Sequence, residues 1–207
     1  MLELQKHSAG NQEELQMNRC SWTGENPLLV EYHDREWGVP LHDDQRQFEY
    51  LSMEVMQCGL SWLTVLKRRE ALRSAFDDFN VSKVAGYGDE HVDEIMKMEG
   101  MIRSPRKIRA IITNAKAFLP IQEEFGSFSS YLWGFTGNKT MEYPGHADRG
   151  IVIARNELSD MISKDLKKRG FTFLGSITIY AHLQAAGIIN DHEAICFRYH
   201  QVGSTTS

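Results

Sequence analysis

"GMIRSPRKIRAIITNAKAF", residues 100–118, holds a glycine, five basic side chains and a run of isoleucines, and contains no acid. Pro105 suits the first turn of a helix, where its missing N–H leaves no bond unmade. Ile108, Ile111, Ile112, Ala115 and Leu119 follow at helical spacing and predict that helix's buried side. Arg103, Arg106, Lys107, Arg109 and Lys116 supply the charge. Upstream, "GDEHVDEIMKM" reads as a short amphipathic helix that Gly100 is expected to end as a C-cap. A local basic patch of this kind can hold phosphates on a chain that is acidic overall.

Outward from this stretch the helical signals continue. In "HDDQRQFEYLSMEVMQCG" (42–59), Asp43 or Asp44 offers an N-cap, and Phe48, Leu51, Val55 and Cys58 form an apolar stripe. Tyr50, Glu54, Gln57 and Ser61 share the neighbouring face, which sets Glu54 at the border of the stripe. "WLTVLKRREALRSAFDDF" continues in the same manner, with Leu63, Leu66, Leu72 and Phe76 as expected core positions. "SFSSYLWGF" reads as a short aromatic helix, and "LSDMISKDLKKRG" and "SITIYAHLQAAGIIN" complete an all-α reading. Residues 136–156 are the least regular and are expected to form a long loop.

The 207 residues, 42% hydrophobic and 25% charged, fit one globular domain with helical lobes around a cleft. The expected bounds are a disordered tail over 1–17, the domain over 18–199 and a short tail over 200–207. No run of eighteen apolar residues suggests a membrane span, and the polar N-terminus lacks the apolar centre of a signal peptide. Three cysteines at distant positions argue for a reducing compartment, so a cytoplasmic location is expected. The net charge of −5 has the wrong sign for indiscriminate nucleic-acid binding. A second basic stretch, with Lys164, Lys167, Lys168 and Arg169, reads equally well as a solvated helix face.

Twelve residues lie between Cys20 and His33, and three between His192 and Cys196, the i, i+4 spacing of one helix face. Two thiolates and two imidazoles make a closed tetrahedral zinc set with no open position. Such a clip would join the ends of the domain across more than 150 residues. The alternative is two free thiols and two surface histidines.

The fragments "RCSW", "YHDREWGVP", "CGLSWLTVLKRRE", "MIRSPRKIRAIITNAKAF", "SKDLKKRGFTFLG" and "LQAAGIINDHEAICF" occur in one order. Together they resemble the DNA-3-methyladenine glycosylase I family over about Asn18 to Tyr199. The resemblance implies a helix-hairpin-helix DNA glycosylase that excises 3-methyladenine from alkylated double-stranded DNA, with the free base as product and a monomer as default. It implies a structural zinc ion on Cys20, His33, His192 and Cys196. The family's hairpin falls at residues 99–104, around Gly100 and Arg103. There a glycine turn at a helix start presents backbone N–H groups to a phosphate, with Arg106 and Lys107 beside it.

The family's base-binding residues fall on Trp22, Tyr32, Glu54 and Trp62, with Trp37 close in sequence. Aromatic faces suit a base that carries positive charge while attached to its sugar. Glu54, the catalytic candidate, can accept a hydrogen bond from the exocyclic amine and favour the cation. Leu60 can enter the stack vacated by a flipped nucleotide, with Gln57 assisting and Gly59 allowing close approach. The plainer readings are a helix–helix salt bridge for Glu54, core packing for the tryptophans, a backbone partner for the Tyr32 hydroxyl and a helix cap for Gly59. Trp133 is read as core. Val55, Met56, Cys58, Ser104–Pro105 and Ile177 depart from the family's usual residues. A module that binds damaged DNA without cutting it is the competing function; a catalytic zinc hydrolase is disfavoured by the closed ligand set.

Overall fold

The computed structural model describes residues 17–143, 146–150 and 153–203. The N-terminal tail expected over 1–17 lies outside the described residues except for Met17. Helices α1 (Pro27–Arg35), α2 (Asp44–Gln57), α3 (Trp62–Leu66), α4 (Arg69–Ala75), α5 (Val81–Ala85) and α6 (Asp89–Ile95) form the first part. Helices α7 (Pro105–Phe125), α8 (Phe128–Gly134), α9 (His146–Arg149), α10 (Glu157–Lys168), α11 (Ser176–Ala185) and α12 (Phe197–Gly203) follow. The all-α expectation holds, with one small addition. Strands β1 (Met141–Glu142) and β2 (Ile189–Asn190) pair in parallel, Met141 opposite Ile189.

Helix α2 is the inner helix of the domain. It packs against α3, α7, α8 and α11 and is buried at every position from Gln47 to Met56. The expected single apolar stripe is therefore too narrow, and Glu54 lies inside the protein rather than at a border. Cys58, placed on the stripe by its spacing, is exposed beyond the helix end. Burial on all sides obliges the polar residues of α2 to find partners. Gln47 donates to Leu41 O at 2.7 Å and meets His182 Nε2 at 2.9 Å. Glu49 receives Arg69 at 2.7 Å and Arg73 at 2.8 Å.

The choice of N-cap resolves to Asp43, whose carboxylate accepts from Arg46 N at 2.8 Å. Asp44 turns away and accepts from Phe128 N and Ser129 N, each at 2.8 Å, fixing the start of α8. Downstream, the expected continuous helix is two short ones. Gly59 adopts φ +82° directly after α2, and Ser61 caps α3 by accepting from Thr64 N at 3.2 Å. Val65, Leu72 and Phe76 enter the core, whereas Leu63 and Leu66 are only half-buried.

Helix α6 stops at Ile95, five residues before Gly100, so Gly100 is a turn residue ahead of the next helix rather than the cap of α6. Its φ is +78°, and a Cβ there would stand 3.2 Å from Ala71 Cβ. Pro105 then takes the first position of α7, which packs on α5, α6, α8 and α2. Ile108, Ile111, Ile112 and Ala115 are buried as their spacing predicts, with Phe118 in place of the half-buried Leu119.

The expected 136–156 loop contains β1 and α9, and so is more regular than its composition suggests. Two-residue strands fall below any periodic signal. At the other end, α12 extends to Gly203 through part of the expected tail, and residues 204–207 lie outside the described residues. Phe197 N donates to Asn18 O at 2.9 Å, which brings the two ends of the domain together. No helix among the described residues is long and apolar enough to cross a membrane.

Candidate functional site

Where the two ends meet, Cys20, His33, His192 and Cys196 gather their ligand atoms within 4.8 Å of one another, all four buried. Cys20 Sγ and Cys196 Sγ stand 3.4 and 3.6 Å from His192 Nδ1, and Cys196 Sγ is 3.4 Å from His33 Nε2. Bonds of about 2.3 Å to sulfur and 2.0–2.1 Å to nitrogen in a tetrahedron imply S···N edges of about 3.5 Å. The cluster therefore fits a four-coordinate ion. The i, i+4 pair is not on a helix; a turn closed by Cys196 N to Glu193 O at 2.8 Å brings His192 and Cys196 together instead.

The outer partners set the histidine tautomers. His33 Nδ1 donates to Asp34 Oδ1 at 2.8 Å, leaving Nε2 for the cluster. Asp34 is held by Arg19 Nε at 2.9 Å and NH2 at 2.8 Å. Partial burial works against its charge, but the hydrogen bonds from Arg19 and His33 hold its carboxyl below the usual range. His192 directs Nε2 to Trp37 O at 3.3 Å. The close pairing of the two thiols raises Cys20 and lowers Cys196.

A cavity of about 650 Å³ opens beside this cluster, and Cys20 forms part of both. Trp22, Tyr32, Trp37, Glu54, Gln57 and Trp62 line it. Tyr32 and Trp62 stand 5.2 Å apart at 52°, and Trp22 meets Trp37 edge-on at 5.1 Å. Trp22 is 39% exposed, at the mouth, whereas Glu54 is 4% exposed, inside. Glu54 Oε2 and Trp62 Nε1 are both buried without a hydrogen-bond partner. Burial alone pushes Glu54 up to about 8. The salt-bridge reading of Glu54 is thus not what the fold builds. The arrangement offers flat aromatic faces and two unsatisfied directional groups, the features that recognise a planar heteroaromatic ligand.

The methyladenine glycosylase family model matches residues 22–199. The chain belongs to this family. It is 42% identical to a DNA-3-methyladenine glycosylase of Haemophilus influenzae, over 86% of this chain and 96% of the relative. It is 40% identical to DNA-3-methyladenine glycosylase 1 of Escherichia coli, over 88% and 97%. A solved structure of 3-methyladenine DNA glycosylase I from Staphylococcus aureus, described as showing the basis of 3-methyladenine recognition, superposes with a TM-score of 0.84. That chain is 35% identical, with 92% of this chain and 99% of it covered.

All the base-binding positions expected from family resemblance line the one cavity, and all the expected ligands form the one cluster. Gly59 and the 39%-exposed Leu60 lie at the turn after α2, outside the cavity lining. Gly100 and Arg103 lie in the turn before α7 and Arg106 in its first turn; both arginines are exposed, and Arg106 lies 5.4 Å from the Phe173 ring centroid. Lys107 does not project freely: its Nζ donates to Met56 O and Cys58 O. Among the departures from the family, Val55 and Met56 are fully buried in the core, and Ile177 is 63% exposed.

Sequence reasoning missed the rest of the lining: Ser21, Gly150, Ala181, Gln184, Asp191 and Glu193. Asp191 accepts from Tyr180 OH, Gln184 Nε2 and Arg149 NH2 at 3.0, 2.8 and 3.0 Å. Glu193 accepts from Ser21 N at 2.7 Å and Ser21 Oγ at 2.6 Å. The acids flanking His192 in "NDHEAIC" were the available signal for two of these residues. Gly150 had none.

Proposed function

We propose that this protein is a monofunctional DNA-3-methyladenine glycosylase that rotates a methylated adenine out of double-stranded DNA and cleaves its N-glycosidic bond. The observation that carries this reading is the buried, unpartnered Glu54 carboxyl inside an aromatic pocket, in a chain of the methyladenine glycosylase family. A base within a duplex is out of reach, so the enzyme must hold it extrahelically. Tyr32, Trp22, Trp37 and Trp62 supply π faces that favour a cationic base over neutral adenine. Trp62 Nε1 donates to a ring nitrogen, and Glu54 accepts from the exocyclic amine. Entry of a cation reverses the cost of ionising Glu54, so the proton that burial holds on it is released as the base binds.

N3-methylation has already made the base a good leaving group. When the glycosidic bond breaks, its electron pair leaves with the base and neutralises it; water adds at the sugar's C1′ and gives up a proton to solvent, leaving an abasic site. Holding the base and excluding unmodified ones is the protein's main contribution. Gly100, Arg103 and Arg106 grip the backbone, while Leu60, with Gln57 behind it, fills the vacated stack. We assign a structural zinc ion to Cys20, His33, His192 and Cys196, on the strength of the ligand set and the S···N spacings; it closes the fold and takes no part in bond breaking. A monomer in the cytoplasm suits these assignments, since one copy supplies every pocket residue and a reducing compartment keeps the ligand thiols free.

The test is incubation with methylated duplex DNA and chromatography of the released bases. Release of 3-methyladenine is expected. Tight DNA binding by folded protein without release would favour the non-cutting module.

A further inference from the structure

Lys107 carries a positive charge in the first turn of α7, the position from which a side chain would reach a phosphate. Its ammonium goes elsewhere. Nζ donates to Met56 O at 2.8 Å and to Cys58 O at 2.6 Å, at the far end of α2. The last carbonyls of a helix have no partners within it and carry its negative dipole end, so one lysine satisfies two of them and their charge. Partial burial lowers Lys107 from the ordinary lysine value, as suits a cation committed to protein carbonyls.

These carbonyls bracket the origin of the exposed turn. Gln57 lies between them, Leu60 N donates to Gln57 O at 2.6 Å, and Gly59 turns the chain with φ +82°. On the other side, Lys107 follows Arg106 and lies four residues beyond Arg103. Ser104, the N-cap of α7, makes no side-chain cap, so that end of the helix remains open to an anion. The geometry points to Lys107 as a positioning residue that locks the Gly59–Leu60 turn to the phosphate-facing end of α7. Backbone grip and wedge insertion then act on the duplex as one rigid unit, an inference that rests on the glycosylase reading above. Opening a stacked duplex costs a few kcal/mol per step. A wedge on a loosely held turn would retract under that load.

The test compares Lys107→Met, Lys107→Arg, Leu60→Ala and the Lys107→Met/Leu60→Ala double variant, each checked for folding by thermal melting. Four quantities are measured: single-turnover excision from methylated duplex, excision from methylated single strands, the salt dependence of duplex binding, and calorimetric affinity for free 3-methyladenine. Lys107→Met is expected to slow duplex excision on the order of tenfold and single-strand excision by less than about threefold. Lys107→Arg should recover part of the duplex rate. Free-base affinity and the salt slope should stay as they are, and the double variant should be no slower than Leu60→Ala alone. A salt slope shallower by about 0.9 would show a direct phosphate contact and overturn the inference. Additive losses in the double variant, or equal losses with duplex and free base, would overturn it too. If the unsubstituted protein releases no base, the glycosylase reading fails and this inference with it; if only these contrasts are missing, the coupling alone fails.

Discussion

Glu54 shows what a single residue must lack in order to work. Glu49, five positions earlier on the same buried helix, is matched by Arg69 and Arg73 at 2.7 and 2.8 Å. Glu54 has only burial, and is raised from 4.5 to about 8. In the empty protein it is protonated at neutral pH, and binding a cation expels that proton. Excision should therefore rise with pH and level off near 8, with Glu54→Gln slower on the order of 10²-fold and lacking this rise. Linkage gives the companion sign. A carboxyl whose folded value lies above its unfolded one favours folding at low pH, and that contribution is lost as pH rises from 4.5 through about 8. Melts of the empty protein should show this loss, and Glu54→Gln should remove it. Parallel pH profiles for the two proteins would take Glu54 out of the binding step.

At the scale of elements, the hairpin and the start of α7 carry the expected grip on DNA. Phosphate contacts release counterions, so Arg103→Ala and Arg106→Ala should each make the log K against log salt slope shallower by about 0.9, with free-base affinity untouched. A slope unchanged in both would move the grip elsewhere. The α7 stripe was legible because its outer face is wet, so isoleucines every three or four residues mark one side. For α2 the same reasoning failed. With ten consecutive positions buried, no polar face remains to report its orientation. Glu54 was placed in the pocket by family resemblance, while periodicity alone set it at a helix border. The rest of the pocket's lining comes from turns and from α11, where residue types repeat with no period. Lys107 illustrates a further limit: a basic residue in a basic helix looks the same whether it meets a phosphate or two carbonyls.

Across the whole molecule, the four-ligand cluster joins segments that the chain separates by more than 150 residues. The ligand types and their spacing were legible, although the supporting local structure is a turn rather than a helix. The cluster also supports the pocket directly. Cys20 lines it, Trp22 is two residues on, and His192 holds the Trp37 carbonyl at 3.3 Å. Removing the ion should loosen both the closure and the aromatic wall. Loop closure of this length corresponds to about 5 kcal/mol when fully expressed, or a fall in Tm of roughly 15 °C for a domain of this size. Chelation followed by metal analysis and calorimetry should show that fall, with weaker binding of 3-methyladenine and recovery of both on adding zinc. Cys196→Ser should mimic the stripped protein and resist rescue, because a neutral hydroxyl replaces a thiolate ligand. A stripped protein that melts unchanged would sink the zinc assignment. A protein that loses stability but binds the base as before would show that the clip and the pocket are independent. The shared residues predict that they are not, because Cys20, which would hold the ion, lies two residues before Trp22, and His192, which would hold it too, meets the Trp37 carbonyl.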